Sequence, residues 1–195
     1  MKIGRNVIKA ADIIKQGGVV IYPTETVYGM GANIFSEEGV RRVFAIKKRN
    51  SRKPVSIAVA SFEMMKNLAY ISNKEEVFIK KLLPGPVTVL LRKRENLPYI
   101  LTPSELIGIR FPDHEMTIHL IELAGVPITS TSANISGETP PKRVNEIKIK
   151  ADYILDGGVC RGKPSTVVDL INLRILRKGE KYEEVQALLQ EFNVI

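Results

Sequence analysis

Apolar residues recur at helical spacing in six segments of the chain. In the first of them, residues 7–14, valine, isoleucine and alanine side chains fall on one face, and Gly17 and Gly18 follow as a stop signal. In the second, Ser36 precedes two glutamates, which is the pattern of an N-cap with favourable acidic residues in the first turn. The spacing predicts helices near residues 7–14, 37–46, 62–69, 73–83, 117–124 and 183–192.

Short runs rich in valine, isoleucine and threonine lie between these helices and are typical of strands. They predict strands near residues 19–22, 55–60, 87–91, 106–111, 126–128, 153–155, 166–171 and 174–177. Helices and strands alternate at first and strands dominate later, so the pattern predicts an α+β fold in which one mixed, strongly twisted sheet is flanked by helices. No internal repeat, low-complexity tract or linker interrupts it, and we expect a single domain over residues 1–195.

The composition is that of an ordinary globular chain with an excess of positive charge. Of 195 residues, 44% are hydrophobic and 26% are charged, and the net charge is +8. The excess favours a polyanionic partner or substrate, although a solvated basic surface explains it equally well. Cys160 is the single cysteine, which excludes an internal disulfide and suits a reducing compartment. The start lacks the apolar block of a signal peptide and no apolar run is long enough to span a bilayer, so we expect a cytoplasmic protein.

The densest charge lies at the end of the second predicted helix. Between Arg41 and Lys53 the chain carries seven lysine or arginine residues and no carboxylate. Arginine grips phosphate oxygens in bidentate fashion and lysine adds a point charge, so the cluster favours an anionic ligand such as a polyphosphate. The residues concerned are Lys47, Arg49, Arg52 and Lys53. A solvated basic face at the negative end of the helix dipole is the alternative interpretation.

Two segments are rich in hydroxyl groups, 22–29 (YPTETVYG) and 128–134 (ITSTSAN). In the second, four consecutive hydroxyls follow an apolar strand, and alternation would send the two threonines to one face and the two serines to the other. A purely structural Ser/Thr turn is the alternative, but sheet proteins form ligand crevices at strand ends, which favours a binding site. Arg110 lies inside the apolar strand 106–111 and either reaches the surface or meets a buried anion such as a substrate carboxylate.

Several motifs of other kinds of site are incomplete. Residues 157–163 have the Gly-x4-Gly-Lys spacing of a phosphate loop, but Pro164 and a β-branched run follow instead of a hydroxyl residue and a helix. Residues 29–31 (GMG) lack the third glycine of a dinucleotide fingerprint. His114 and His119 have no cysteine or carboxylate arranged around them as metal ligands, so surface or turn positions are expected instead of a zinc site. No Gly-x-Ser-x-Gly elbow is present, which disfavours acyl-enzyme chemistry.

Taken together, six segments resemble the YrdC family, the threonylcarbamoyl-adenylate synthases. They are 22–29 (YPTETVYG), 47–54 (KKRNSRKP), 84–88 (PGPVT), 108–112 (GIRFP), 129–137 (TSTSANISG) and 164–167 (PSTV). The resemblance runs from about Ile8 to Gly179, and it implies a twisted mixed sheet around a positively lined concave cavity. It also implies a nucleotidyltransferase reaction in which L-threonine, bicarbonate and ATP, with Mg²⁺, give threonylcarbamoyl-adenylate and pyrophosphate. A separate threonylcarbamoyl transferase would then modify tRNA beside the anticodon.

The same resemblance implies roles for individual residues. Those expected to hold ATP, the first three on its phosphates, are Lys47, Arg49, Lys53, Ser132, Asn134 and Arg177. Those expected around threonine, with the arginine on its carboxylate, are Thr24, Arg110, Ser130 and Ser165. None is an obvious general acid or base and no protein side chain is expected to hold the metal, so we expect catalysis by positioning and electrostatics in a cavity that restricts solvent.

Two departures from the family pattern stand out. Some relatives carry a histidine near threonine, and Ala58 occupies its place here. Larger relatives append a second domain after a linker, whereas this sequence ends at Ile195, so we expect any lid to come from the terminal helix or from a partner.

Two other functions stay open at this point. The charge of +8 is compatible with a binding module for tRNA or double-stranded RNA that has no catalysis of its own, although only 6% of residues are aromatic, which argues against base stacking as its main mode. A structural subunit of a larger modification complex is the third interpretation.

Overall fold

A computed structural model describes residues 2–50 and 53–194 of the chain. Within these ranges the helices are α1 (Val7–Lys15), α2 (Glu37–Ile46), α3 (Phe62–Lys66), α4 (Asn73–Leu82), α5 (Glu115–Ala124) and α6 (Tyr182–Val194). The strands are β1 (Lys2–Gly4), β2 (Val20–Tyr22), β3 (Gly29–Gly31), β4 (Ser56–Ala58), β5 (Ala69–Tyr70), β6 (Val87–Lys93), β7 (Leu106–Arg110), β8 (Ile128–Ser132), β9 (Tyr153–Leu155), β10 (Thr166–Asp169) and β11 (Arg174–Arg177). Two short 3₁₀ turns, Tyr99–Leu101 and Val144–Glu146, complete the described elements.

The strands form one mixed sheet. Hydrogen-bonded neighbours follow the order β1-β9-β2-β3-β8-β4-β7-β6-β10-β11, and β5 pairs with β6 outside this path. The pairs β1/β9, β2/β9, β4/β7 and β6/β10 are parallel, and the other pairs are antiparallel. The predicted α+β fold with a mixed, twisted sheet is therefore confirmed, while the extent of the single domain over 1–195 stays a prediction.

Side-chain caps define where the helices begin. The Ser36 hydroxyl accepts a hydrogen bond from the backbone N–H of Gly39 (3.1 Å), so the predicted N-cap of α2 is confirmed. Ser72 and Glu75 form a reciprocal capping box at the start of α4. Because α2 begins at a fixed point and runs for ten residues, its C-terminal end delivers Lys47 to the centre of the sheet.

Three of the predicted boundaries that were wrong have an identifiable cause. The helix predicted over 62–69 ends at Lys66, since Ala69 and Tyr70 pair with β6 as strand β5. The strand predicted over 166–171 ends at Asp169, whose Oδ1 accepts hydrogen bonds from the backbone N–H groups of Ile171 and Asn172 and turns the chain. The hydroxyl-rich segment does not follow a strand over 126–128 but is itself strand β8.

Strand β3 is absent from the sequence prediction because its glycines give no apolar signal. A β-carbon on Gly29 would lie 2.7 Å from the ring of Tyr22, and one on Gly31 would lie 2.9 Å from the same ring. Because these glycines have no side chains, β3 can pair with β2 while the buried ring of Tyr22 packs against the β3 backbone.

Alternation along the central strands separates the main core from the site. Ile107 and Ile109 of β7 are fully buried in the largest apolar cluster, together with side chains of α4 and α6. Gly108 and Arg110 consequently point to the opposite face of the sheet. Of the helices in the described ranges, none is both long enough and apolar enough to cross a membrane.

Candidate active site

One cavity of about 520 Å³ opens on this second face of the sheet. All ten residues that the sequence assigned to ligands line it: Thr24, Lys47, Arg49, Lys53, Arg110, Ser130, Ser132, Asn134, Ser165 and Arg177. The structure therefore brings the predicted phosphate, nucleotide and threonine residues to one place. Which ligand each of them contacts stays a prediction. Arg52, also singled out in the sequence, lies outside the described residues.

The register between strands β7, β6, β10 and β11 determines which side chains form the floor of the cavity. Arg110 of β7 is directly opposite Thr88 of β6, Thr88 is opposite Val167 of β10, and Val167 is opposite Arg177 of β11. Cross-strand partners share a face of the sheet, so these four side chains form one row at the cavity. The row explains how arginines from distant parts of the chain converge.

Lys47 joins the end of α2 to the end of β8. Its side chain is 2% exposed, and its Nζ donates to the carbonyls of Ser132 (2.5 Å) and Asn134 (2.8 Å). The Lys47 carbonyl in turn accepts the backbone N–H of Ser136 (2.9 Å). Burial lowers the pKa of Lys47 to about 8, and the positive charge of Arg49 adds to the shift. Lys47 is thus a structural tether as well as a cation in the cavity wall.

Arg49 organises the basic segment that follows. Its Nη2 donates to the carbonyl of Pro54 (2.7 Å), which ties the end of the α2 segment to the start of β4. Burial lowers the pKa of the Arg49 guanidinium, yet an arginine stays charged at any physiological pH. Together with Lys48 and Lys53, which also line the cavity, Arg49 makes this side the most positive part of the wall.

The hydroxyl-rich strand and the turn after it form the adjoining wall. Ser130 and Ser132 line the cavity, as alternation predicts, while Thr129 is fully buried and donates to the carbonyl of Met30 (3.1 Å). Thr131 also reaches the cavity, in contrast to the predicted alternation. The amide of Asn134 donates to the carbonyl of Glu138 (2.7 Å) and shapes the turn.

Ser165 and Arg177 close the opposite side. The Ser165 hydroxyl lies 2.9 Å from that of Thr88 and accepts a hydrogen bond from Arg177 Nη2 (2.9 Å), while Arg177 Nε donates to the Ser165 carbonyl (3.0 Å). Ser165 is buried, whereas Arg177 is exposed.

This side of the cavity depends on a close backbone approach at Gly179. A β-carbon there would lie 2.1 Å from the carbonyl oxygen of Pro164, and backbone cannot move aside as a flexible side chain can. We expect Gly179→Ala to lower the free energy of unfolding by about 3 kcal/mol in urea denaturation. Gly125→Ala is the matched control, because Gly125 has open space but a positive φ of 68°, and it should cost about 1 kcal/mol. Equal losses in the two variants would contradict the steric explanation.

Arg110 meets a protein carboxylate inside the fold. It is 7% exposed, and its Nη2 donates to Thr26 Oγ1 (2.7 Å) and lies 3.0 Å from Glu25 Oε2. Thr24 Oγ1 is 3.4 Å from the same nitrogen and donates to the carbonyl of Val27 (2.7 Å). Of the two alternatives for Arg110, the buried anion is therefore the one observed, and Glu25 supplies it before any ligand arrives.

The charged side chains that line the cavity are all positive. Six cationic side chains line it: Lys47, Lys48, Arg49, Lys53, Arg110 and Arg177. Among its described lining residues there is no aspartate or glutamate, so its field attracts anions. Within the described part of the chain, no group of three or more histidine, cysteine, aspartate or glutamate side chains is placed to hold a metal ion.

The sequence prediction missed Glu25, Ser56 and Thr88. Ser56 and Thr88 line the cavity, and each is a lone hydroxyl in an otherwise apolar strand, which is a signal that could have found them. A β-carbon on Gly108 would lie 2.5 Å from Ser56 Oγ, so that glycine makes room for the serine. Glu25 lies inside the hydroxyl-rich segment 22–29, but its pairing with Arg110 has no signal in the spacing of the sequence.

The remaining candidates lie at or beyond the edge of this site. Ala58, which is predicted to stand at the position of the family histidine, is buried in β4 opposite Arg110. His119 is exposed on α5, as predicted, while His114 is half-buried at the start of that helix, where burial lowers its pKa.

Comparison with known proteins gives the family. Residues 12–179 match the Sua5/YciO/YrdC model, which is described as "Telomere recombination". The chain is 39% identical over 195 residues to the threonylcarbamoyl-AMP synthase of Pyrococcus abyssi, covering 95% of this chain and 57% of that one. It is 39% identical over 180 residues to a putative threonylcarbamoyl-AMP synthase of Methanocaldococcus jannaschii, covering 90% of this chain and 85% of that one.

A solved structure agrees with these matches. The crystal structure of P. abyssi Sua5 complexed with L-threonine superposes with a TM-score of 0.86 at 38% identity, covering 94% of this chain and 60% of that one. The chain thus spans less than two thirds of the P. abyssi protein and most of the M. jannaschii one. The family match, the sequence identity and the structural similarity agree, and the chain belongs to the Sua5/YciO/YrdC family.

Proposed function

We propose that this chain is a threonylcarbamoyl-AMP synthase, which makes threonylcarbamoyl-adenylate and pyrophosphate from L-threonine, bicarbonate and MgATP. The observation that carries the proposal is the convergence of six cations and several hydroxyls on one cavity of about 520 Å³. That volume lies within the range of small-molecule sites. The names of the relatives and the L-threonine complex of P. abyssi Sua5 support the choice of reaction.

The triphosphate fits the most positive wall. Arg49 and Lys53, with Lys47 beside them, would hold the phosphates, while Ser132 and Asn134 would contact the nucleotide and Arg177 would close over it from the opposite wall. Each charge-assisted hydrogen bond of this kind contributes about 1.5–3 kcal/mol when partly desolvated. ATP would bring Mg²⁺ on its own phosphates, as part of the substrate.

Threonine fits the other end of the same cavity. The Arg110 guanidinium would meet its carboxylate, and Thr24, Ser130 and Ser165 would surround it. Arginine suits this role because its planar fork matches a carboxylate in two parallel hydrogen bonds.

The chemistry needs two successive steps. The threonine amine attacks bicarbonate and water leaves, which gives a carbamate; a carbamate oxygen then attacks the α-phosphorus of ATP, and the bond to pyrophosphate breaks. Free carbamates decompose in water, so a site that holds the reactants adjacent and restricts solvent is required. The cations of the cavity would offset the charge that develops on the phosphorus centre.

The test of the proposal is pyrophosphate release from ATP by the purified chain. We expect pyrophosphate release only when L-threonine and bicarbonate are both present. Mass spectrometry should identify the other product as threonylcarbamoyl-adenylate, the adduct of threonine, carbonate and AMP. Release that continues without threonine, or that yields no such adduct, would contradict the proposed function.

Lys47 makes ATP binding depend on pH. Its pKa of about 8 in the free protein should rise when the anionic triphosphate binds, so binding should take up a proton above pH 8. Uptake means that affinity falls as pH rises through this pKa, by about tenfold per pH unit at most. Calorimetry at pH 8.5 in two buffers of different ionisation enthalpy measures the uptake. Lys47→Arg, which keeps the charge without titrating there, should abolish it; uptake that persists would assign the proton elsewhere.

Cellular partners are part of the same proposal. The product would pass, in the cytoplasm, to a separate threonylcarbamoyl transferase that modifies tRNA. The net charge of +8 favours direct contact with tRNA or double-stranded RNA as a second candidate function. RNA affinity that survives Arg49→Ala and Lys53→Ala, in a chain that does not bind ATP, would favour that alternative over the enzyme.

A further inference from the structure

Unsatisfied polar atoms concentrate beside Arg110. Five buried side-chain nitrogen or oxygen atoms lack a hydrogen-bond partner in the described part of the chain, and four of them belong to Glu25, Arg110 and His114. They are both carboxylate oxygens of Glu25, Nε of Arg110 and Nδ1 of His114. Glu25 and Arg110 therefore attract one another at 3.0 Å as charges, without a well-aligned hydrogen bond. Such a cluster in a native fold calls for an explanation.

The backbone that carries Glu25 is held from two sides. The hydroxyl of Thr117 in α5 donates to the carbonyl of Pro23. From the other side, the backbone N–H of Gly162 donates to the carbonyl of Glu25 (3.1 Å). The glycine-rich segment 157–163, which is not a phosphate loop, thus serves to support the turn 23–27.

Glycine is required in that supporting segment. A β-carbon on Gly162 would lie 2.8 Å from the Glu25 carbonyl oxygen, and one on Gly157 would lie 2.5 Å from the ring of Pro23. The backbone of the turn is therefore closely packed against this segment. The carboxylate of Glu25 lies beside the guanidinium, with Oε2 3.0 Å from Arg110 Nη2.

One nitrogen of the guanidinium, Nη2, makes its hydrogen bonds and its ion pair with this turn. Thr24, Glu25 and Thr26 all approach Nη2. Arg110 nevertheless lines the cavity, so the turn fixes one corner of the fork and leaves the group presented to a ligand. Glu25 also compensates the charge of an arginine whose side chain is only 9% exposed, before any substrate is present.

We propose that Glu25 is a positioning residue for the amino-acid substrate, which holds the Arg110 guanidinium in the orientation that receives the substrate carboxylate. The inference rests on the proposed function. A guanidinium that is already oriented and paired with a carboxylate loses little conformational entropy when the substrate binds. This smaller entropy loss increases the affinity for the substrate. Glu25 acts through Arg110 and does not touch the substrate.

The test compares two ligands of the same cavity by calorimetry. In Glu25→Gln we expect the Kd for L-threonine to rise at least about tenfold, because the amide cannot compensate or orient the guanidinium, while the Kd for ATP stays within about twofold. In an Arg110→Lys background, which has no planar fork to orient, adding Glu25→Gln should change the threonine Kd by less than about twofold. Glu37→Gln removes an exposed carboxylate that pairs with Arg41 and is the matched control.

The outcomes separate the inference from the function it rests on. An unchanged threonine Kd in Glu25→Gln, or equal weakening of threonine and ATP, overturns the positioning role while the proposed function stands. A wild-type chain that does not bind threonine overturns both. Should Glu25→Gln fail to fold, Thr26→Val tests the same orientation through the 2.7 Å hydrogen bond to Nη2, and an unchanged threonine Kd there also overturns the inference.

Discussion

Replacing Arg110 with methionine is expected to lower the free energy of unfolding by about 3–5 kcal/mol, because it leaves the carboxylate of Glu25 buried without a counter-charge. The side chains of the pair are 9% and 18% exposed, so solvent screens the lost attraction only weakly. Urea denaturation of the two proteins measures the difference.

The double variant Arg110→Met with Glu25→Gln separates charge from packing. It removes both charges and should regain most of the lost stability, since an uncharged pair of similar shape has little desolvation penalty. As a surface comparison, Arg41→Met disrupts an ion pair whose side chains are 68% and 64% exposed, and it should cost less than about 1 kcal/mol. If the double variant is no more stable than Arg110→Met alone, the loss comes from packing and the electrostatic explanation is wrong.

Arg49→Ala is expected to raise the Kd for ATP by about 10- to 150-fold, which corresponds to one charge-assisted contact of about 1.5–3 kcal/mol. The same variant should leave the Kd for L-threonine unchanged, because the predicted threonine residues line the cavity from other segments of the chain. Calorimetric titration with each ligand measures both effects.

Two further variants make this result specific. Arg41→Ala removes the same side chain from the same helix region but from an exposed position, and its ATP affinity should match that of the wild type. Arg49→Lys keeps the charge and loses the bidentate fork, so it should fall between wild type and Arg49→Ala. An Arg41→Ala variant as weak as Arg49→Ala would show that overall charge, not a local contact, determines affinity.

Much of the fold follows from local patterns. Residues 7–14, 37–46 and 153–155 carry strong periodicity or β-branched character together with clear start and stop signals, and the structure places helices and a strand there with boundaries within a residue. Strands β1, β3 and β5 were not predicted, because each has only two or three residues and gives no pattern of its own until neighbouring strands are in place.

The site, like the fold, could be predicted from the sequence only in part. Cations in an apolar strand or in a run without carboxylates indicate an anionic ligand, and the family resemblance assigned ten residues that the fold does bring to one cavity. The Glu25–Arg110 pair could not be predicted, because it depends on which face of β7 meets which turn, and nothing in the spacing of two residues so far apart records that contact. The tether made by the Lys47 ammonium is hidden for a related reason, since its acceptors are backbone carbonyls and carry no sequence signature.

The row that joins Arg110, Thr88, Val167 and Arg177 makes strand length more critical than loop length in this chain. Inserting a single residue before Thr88 in β6 would turn Thr88 and every later side chain of that strand to the opposite face of the sheet. Added residues in the connections between strands would leave the row intact. Homologues can therefore be expected to differ in length between these four strands, whereas a one-residue insertion or deletion inside any of them would break up the row that forms the floor of the cavity.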